Sequence, residues 1–173
     1  MEEVILVDEN DQVLGTMEKL LAHQEGRLHR AFSVLIFNDK GQMLIHKRAA
    51  DKYHCGGLWT NACCSHPRLN EGLIKAGKRR LLEEMGFVTD LEHVGSFIYK
   101  IHFDNGLYEH ELDHLLIGCY SEPPSPNKDE VEDWKYVEME ELLKDIDNNP
   151  EKFTFWFKTI LLEQSEKILS KNY

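Results

Sequence analysis

The sequence predicts a single α/β (α+β) domain over residues 1–173, in which a mixed β-sheet is flanked by helices. Two observations predict this class. Short apolar and β-branched runs are separated by turn residues, which is typical of strands, and two longer proline-free segments carry apolar residues at helical spacing. The chain contains no internal repeat and no linker-like stretch, which indicates one domain. A chain of this length buries a hydrophobic core without disulfides.

The first third of the chain alternates strand-like runs with one short helix. Residues Val4 to Val7 predict a strand, and a short capped helix is expected to begin at Thr16 in the segment TMEKLLAHQ. The β-branched and aromatic segment 27–37 and the alternating segment 43–48 are joined by NDKG, which predicts a hairpin. Residues 57–64 predict one further strand.

The rest of the chain predicts three helices, a long hairpin and a last strand. Proline-free residues 71–86 have apolar positions at helical spacing and end at Gly86, a typical helix-capping residue. Two strand-like runs flank a DNG turn, which is a strong hairpin signal. The remaining expected elements are the hairpin strands 94–103 and 107–120, a proline-rich loop 121–130, a strand in WKYVEM, a helix over 140–146 and a C-terminal helix over about 153–171.

Charge and hydropathy exclude several classes of protein. The net charge of −11, without a basic arm, disfavours a nucleic-acid partner. No apolar run reaches the ~20 residues of a membrane span, and the N-terminal MEEVILVDEN lacks the basic start of a signal peptide. We therefore expect a cytoplasmic protein with no membrane partner, acting as a monomer or weak homodimer on a small molecule.

Four cysteines, Cys55, Cys63, Cys64 and Cys119, are expected to be reduced thiols in such a chain. A disulfide between the neighbours Cys63 and Cys64 would be strained. Because side chains alternate along a strand, these two sulfurs should point to opposite faces. We expect Cys63 to fill the core and Cys64 to face a site.

The helix over 71–86 carries a charged pattern that admits two interpretations. Arg79 with Glu83, and Arg80 with Glu84, are i, i+4 neighbours, so the pattern alone favours a solvated, salt-bridged face. However, the spacing S-x5-E-x7-R-R-L-L-E-E-M-G-F resembles the Nudix box, G-x5-E-x7-R-E-U-x-E-E-x-G-U, where U is aliphatic. That resemblance implies a Nudix fold and a carboxylate-held Mg²⁺ facing a diphosphate. Ser65 and Arg80 depart from the pattern, and Arg80 favours holding a diphosphate over cleaving it.

A second group of residues has the composition of a metal site. Glu109 and Glu111 should share one face of a strand, and His29 and His66 lie at the ends of strands that could adjoin them. Together with His23, such side chains could enclose one divalent transition metal. The sequence HELDH (110–114) matches HExxH, but its hairpin context predicts a strand, so a metalloprotease helix is disfavoured.

Taken together, these motifs resemble type I isopentenyl diphosphate isomerases, a Nudix-fold family, from about Val4 to Phe157. The stretches that carry the resemblance are LHRAFSV (28–34), LWTNACCSHP (58–67), the Nudix-like helix, YEHE (108–111) and FTFWF (153–157). The resemblance implies interconversion of isopentenyl and dimethylallyl diphosphate by proton transfer across an allylic system. One group delivers a proton and a second removes one.

The resemblance also implies a role for individual residues. The implied catalytic residues are Cys64, Glu111, Tyr99 and Trp156. The implied diphosphate-binding residues are Lys19, Arg48, Lys52 and Arg80. The implied ligands of one transition metal, Mn²⁺ or Zn²⁺, are His23, His29, His66, Glu109 and Glu111, and Glu84 with the Cys64 carbonyl is expected to hold a Mg²⁺ that bridges to the diphosphate.

Two other functions remain open from the sequence. A Nudix hydrolase would act on a nucleoside or other diphosphate and would require neither Cys64 nor the additional metal ligands. A non-catalytic module could instead be stabilised by zinc bound to Cys55, Cys63, Cys64 and His66, although the C-x7-C-C-x-H spacing fits structural zinc sites poorly.

Overall fold

The computed structural model describes residues 2–52, 54–165 and 168. Within these residues the chain forms one mixed sheet with helices packed against it, which confirms the predicted fold class. The strands are β1 (Glu3–Val7), β2 (Val13–Glu18), β3 (His29–Phe37), β4 (Met43–Arg48), β5 (Trp59–Thr60), β6 (Cys63–Ser65), β7 (Leu91–His102), β8 (Tyr108–Cys119) and β9 (Val131–Val137). The helices are α1 (Lys19–Glu25), α2 (Leu73–Met85), α3 (Met139–Asn148) and α4 (Phe155–Glu163), with a 3₁₀ turn at Pro150–Lys152.

Strand β3 lies at the centre of the sheet and sets the geometry of the site. Its nearly continuous apolar run is buried, as expected for a strand covered on both faces. It pairs in parallel with β8, with His29 beside Glu111, and in antiparallel with β6, with Ser33 beside Cys64. Residues from three separate parts of the sequence therefore meet along one strand.

The two faces of the sheet bury two separate hydrophobic clusters. One face packs against α2, and the other packs against α3 and α4. Cys63 belongs to the first cluster, whereas Cys64 packs against the second, so the predicted alternation of the two sulfurs is confirmed. Helix α2 lies very close to the sheet at Gly77, where an added Cβ would fall 2.7 Å from a Leu116 methyl carbon.

The start of the first helix differs from the prediction. Thr16 lies in β2, opposite Ile5, because the β1–β2 pairing continues as far as Glu18. The helix begins at Lys19, and the Glu18 side chain accepts hydrogen bonds from the first backbone N–H groups. Strand pairing therefore displaced the predicted cap by two residues.

The predicted strand over 57–64 is also wrong, because it is divided in two. Strand β5 pairs with β4, whereas β6 pairs with β3. Between them, the Asn61 side chain donates hydrogen bonds to Val34 O and Cys63 O, at 3.1 and 2.9 Å, and replaces strand pairing at the break.

The C-terminal helix starts later than predicted. Phe153 makes an isolated parallel bridge with Trp59, and Thr154 caps α4, which is described from Phe155 to Glu163. Most of the predicted remainder, at 166, 167 and 169–171, lies outside the described residues. Among the helices that the structure describes, none combines the length and apolar character needed to cross a membrane.

Candidate active site

A cavity of about 320 Å³ is lined by residues of β4, β6, β7 and β8 and of the helices α1, α2 and α4. Most of the predicted site residues line it, although they are far apart in the sequence. The predicted site residues that line the cavity are Lys19, Arg48, Lys52, Cys64, His66, Arg80, Glu84, Tyr99, Glu109, Glu111 and Trp156. His23 and His29 lie buried beside this wall and contact its carboxylates.

Four buried side chains form a candidate metal centre. The ligand atoms of His23, His29, His66 and Glu111 all lie within 4.8 Å of one another. His66 Nε2 is 2.9 Å from Glu111 Oε1, and His29 Nε2 is 3.5 Å from the same oxygen. Glu109 lies beside these four residues, with Oε2 at 3.2 Å from His23 Nε2.

Backbone carbonyls orient two of these imidazoles. His23 Nδ1 donates to Lys19 O at 2.7 Å, and His29 Nδ1 donates to Arg27 O at 2.8 Å. Because a carbonyl only accepts, Nδ1 carries the proton in each ring and Nε2 faces the cluster. This arrangement is typical of metal-ligating histidines, whose second ring nitrogen is held by a hydrogen bond.

The cluster fits a divalent cation. His23 Nε2, His29 Nε2 and Glu109 Oε2 are buried and make no hydrogen bond among the described residues. Buried polar atoms without partners destabilise a fold, and a bound cation would satisfy them. Imidazole and carboxylate donors suit first-row transition ions. Burial would raise the pKa of Glu111, but its contacts with His29 and His66 hold that pKa well below its usual range. Burial lowers the pKa of His66 to about 4, so both groups take the forms that bind metal.

The Cys64 sulfur lies between two polar side chains. It is 3.0 Å from Asn61 Oδ1 and 3.3 Å from Ser33 Oγ, and Ser33 Oγ in turn donates to Asp113 Oδ2 at 2.7 Å. Burial, followed by the nearby Asp113 carboxyl, raises the pKa of the Cys64 thiol. The sulfur is therefore held as a neutral thiol.

Tyr99 and Trp156 bring aromatic groups to the same wall. The Tyr99 hydroxyl donates to Glu111 Oε2 at 2.6 Å, and burial, together with the Glu111 charge, raises the Tyr99 pKa well above its usual value. Tyr99 is thus a neutral donor to a carboxylate. The Trp156 indole N–H donates to Thr60 Oγ1 at 3.0 Å, and the Arg48 guanidinium lies 5.4 Å from the ring centroid.

The basic residues and Glu84 form another part of the wall. Arg80 contacts Glu83 at 2.5 Å and Glu84 at 2.6 Å, Lys19 contacts Glu2 at 3.2 Å, and Lys52 contacts Glu130. Burial raises the pKa of Glu84 despite the contact with Arg80. Glu83 is exposed, so only one of the adjacent glutamates of α2 reaches the cavity, as the helical geometry requires.

Sequence reasoning missed several residues of the site. His54 lines the cavity and contacts Glu109 at 3.0 Å, but no periodicity marked its glycine-rich segment. Asp113 had a usable signal, because it follows Glu109 and Glu111 at spacing i, i+2, i+4 on one strand face. Ser33 likewise shares a face of β3 with His29.

The alternative metal motifs are not assembled. His110 Nδ1 donates to Gly26 O at 2.9 Å, and His114 contacts His93, both away from Glu111 as expected for the opposite strand face. Cys63 and Cys64 lie in different hydrophobic clusters, which separates the alternative zinc ligands. All four cysteines are free thiols, which confirms that prediction.

Comparisons with known proteins agree with this geometry. The NUDIX domain family model matches residues 27–157. The chain is 49% identical to "Isopentenyl-diphosphate Delta-isomerase 2" of Photorhabdus laumondii over 93% of this chain and 92% of that protein. It is 45% identical to the isopentenyl-diphosphate Delta-isomerase of Serratia proteamaculans over 92% of this chain and 89% of that protein.

Solved structures support the fold alone, since their sequences are distant. A protein from Deinococcus radiodurans superposes with a TM-score of 0.71 at 19% identity, over 86% of this chain and 90% of that chain. A MutT protein from Methanosarcina mazei superposes with a TM-score of 0.66 at 16% identity, over 83% of this chain and 96% of that chain. The expected Nudix fold is thereby confirmed.

Proposed function

The chain belongs to the NUDIX-domain family and, within it, to the isopentenyl-diphosphate Delta-isomerases, and we propose that it interconverts isopentenyl and dimethylallyl diphosphate with Cys64 and Glu111 as its proton-transfer groups. The observation that supports these roles is that the Cys64 thiol and the Glu111 carboxylate line one small cavity from different strands. Both strands pair with β3, so the sheet fixes the two groups relative to each other.

The reaction needs one proton added and one removed. Adding a proton to the terminal methylene carbon of isopentenyl diphosphate gives a tertiary carbocation-like centre on the adjacent carbon. Loss of a proton from the chain carbon on the diphosphate side of that centre gives the dimethylallyl double bond. Atoms and charge balance, because the same number of protons enters and leaves. A thiol and a carboxylate held at separate points of the cavity wall can exchange protons with these two carbons.

The two aromatic residues have different roles: Trp156 stabilises the positive charge that develops between these steps, and Tyr99 positions the Glu111 carboxylate. The Trp156 ring is buried at the cavity, and an indole face attracts positive charge by about 2 kcal/mol or more when water is excluded. Tyr99 holds the Glu111 carboxylate in place through its 2.6 Å hydrogen bond. Substrate that displaces water from the part of the cavity beside Trp156 would keep water from trapping the cation-like carbon.

The basic residues bind the diphosphate, which is the only charged group of the substrate. Lys19, Arg48, Lys52 and Arg80 line the cavity. Binding of the diphosphate orients the reacting carbons, because the hydrocarbon part has no polar group that the protein could bind.

The charge of the cavity also supports a requirement for metal ions. The wall carries four basic residues and five acidic ones, the latter being Glu2, Glu84, Glu109, Glu111 and Glu130. Such a wall repels a polyanionic diphosphate unless divalent cations compensate the carboxylates. His23, His29, His66 and Glu111, with Glu109, would hold one transition ion, Mn²⁺ or Zn²⁺, and Glu84 with the Cys64 carbonyl would hold Mg²⁺ against the diphosphate. Bound there, the cations supply Lewis acidity and charge compensation.

A diphosphate hydrolase is the alternative function. It would use the carboxylates of α2, yet Arg80 contacts both Glu83 and Glu84 and occupies the position of another carboxylate in the Nudix pattern.

The oligomeric state, a monomer or weak homodimer as expected from the sequence, stays a prediction.

The function is tested by incubating the purified, metal-loaded protein with isopentenyl diphosphate and Mg²⁺ in D₂O and following the mixture by proton and phosphorus NMR. We expect dimethylallyl diphosphate to form and deuterium to enter the carbons that exchange protons. Loaded protein that yields neither product nor deuterium uptake would contradict the proposal, and release of inorganic phosphate would identify a hydrolase.

A further inference from the structure

We infer that Thr60 and Asn61 are positioning residues, which join the Cys64 thiol to the Trp156 indole through one continuous chain of buried hydrogen bonds. This inference rests on the proposed function, because it concerns how two groups that act on the substrate carbons are held. The chain runs from Trp156 Nε1 to Thr60 Oγ1, then to Asn61 Oδ1, and ends at Cys64 Sγ, with a distance of 3.0 Å at each step.

The Asn61 amide has every hydrogen-bonding position occupied. Its nitrogen donates to Val34 O and Cys63 O, at 3.1 and 2.9 Å, and its oxygen accepts from Thr60 and from Cys64. The two carbonyls only accept, so they fix which end of the amide faces the sulfur. Asn61 is fully buried, which leaves it no water to exchange with. The oxygen therefore directs the thiol hydrogen along one line.

The Thr60 hydroxyl also has all of its hydrogen-bonding positions occupied. Its hydroxyl accepts from Trp156 Nε1 and from Thr154 Oγ1, both at 3.0 Å, and donates its single hydrogen to Asn61. The hydroxyl therefore has one donor and two acceptor positions occupied, and no other arrangement satisfies all three partners. It links α4, which carries Trp156, to the segment that carries Cys64.

The local backbone exists in this form because of the same residues. An unbroken strand over 57–64 would have sent the Asn61 side chain away from the face that carries Cys64. The break between β5 and β6 instead places the Asn61 oxygen against the Cys64 sulfur. A connected, fully satisfied polar network in a core is rigid, so the sulfur and the indole keep a constant relation across the cavity.

Three of the four proposed diphosphate-binding residues lie apart from this network. Lys19, Lys52 and Arg80 contact glutamates, whereas Arg48 lies 5.4 Å from the Trp156 ring centroid. Damage to the network should therefore lower kcat much more than it changes KM for isopentenyl diphosphate. A loss of overall folding would instead reduce active protein and thermal stability together.

The test uses the full-length, metal-loaded protein with Thr60→Val, which keeps the shape and removes the hydroxyl. Thr60→Ser restores the hydroxyl, and Thr159→Val is the matched control. Thr159 lies on the same helix as Trp156, but its hydroxyl donates to Phe155 O, outside the chain. We expect Thr60→Val to lower kcat at least about tenfold with KM within about twofold, because three partners, Trp156, Thr154 and Asn61, lose a hydrogen bond next to the reacting groups. Thr60→Ser should recover most of kcat, and Thr159→Val should resemble the parent protein.

A second measurement does not depend on turnover. In protein labelled with ¹⁵N at tryptophan, the indole N–H resonance of Trp156, identified through Trp156→Phe, should shift in Thr60→Val and return in Thr60→Ser. Thr60→Val with parental kcat, or an unshifted indole resonance, would overturn the inference while leaving the proposed function intact. A loaded parent protein that forms no dimethylallyl diphosphate would overturn the proposed function, and this inference with it.

Discussion

Removal of one hydroxyl tests how Glu111 is held. In Tyr99→Phe, Glu111 Oε2 loses a 2.6 Å hydrogen bond in a site where both side chains are buried. A hydrogen bond to a charged group contributes about 1.5–3 kcal/mol, and each 1.36 kcal/mol is a factor of ten in rate. If the bond is needed to orient the carboxylate during proton transfer, kcat should fall by about ten- to a hundredfold.

The matched control for this variant is Tyr136→Phe. The Tyr136 hydroxyl donates a bond of the same 2.6 Å length, but to Tyr120 O at the far side of the sheet. Steady-state kinetics on isopentenyl diphosphate should therefore show the loss in Tyr99→Phe alone, in kcat and not in KM. A Tyr99→Phe protein with kcat within twofold of the parent, or a loss shared equally by Tyr136→Phe, would refute the reasoning.

Two further predictions concern the Nudix-like helix and the metal centre. Glu71 accepts two 2.8 Å hydrogen bonds from Arg79, which lower the Glu71 pKa from 4.5 to about 2. Glu71→Gln should therefore lower the free energy of unfolding by about 1–3 kcal/mol above pH 4.5. This difference from the parent protein should disappear as the pH falls through about 2. Denaturant titrations that give the same difference at every pH would contradict this prediction. Removal of divalent ions by a chelator, checked by elemental analysis, should abolish turnover and lower the Tm, because buried imidazoles and carboxylates lose their cation; full activity in verified metal-free protein would contradict the metal-site proposal.

The sequence predicted the parts of this site that depend on local periodicity. Strand alternation correctly separated Cys63 from Cys64 and placed Glu109 and Glu111 on one face. Helical spacing identified α2 and its capping residue Gly86. These features depend only on neighbours within a few residues, so the sequence contains all the information they need.

Features set by distant partners were not predictable in the same way. The parallel register that puts His29 beside Glu111 joins residues far apart in the chain. The break at Asn61 depends on Val34, which lies 27 residues earlier, and the helix start at Lys19 depends on pairing with β1. Resemblance to a family supplied the residues of the site, but only the fold shows that Ser33, Asn61 and Asp113 surround the sulfur.

The most direct test of the central claim compares the two neighbouring sulfurs. Cys64→Ala removes a thiol that lines the cavity, and Cys63→Ala removes one that is buried against α2. With isopentenyl diphosphate and Mg²⁺, we expect Cys64→Ala to lose turnover to background, with normal folding, and Cys63→Ala to keep most of it. Equal losses in the two variants, or dimethylallyl diphosphate formed by Cys64→Ala, would contradict the assignment of Cys64 as a proton-transfer group.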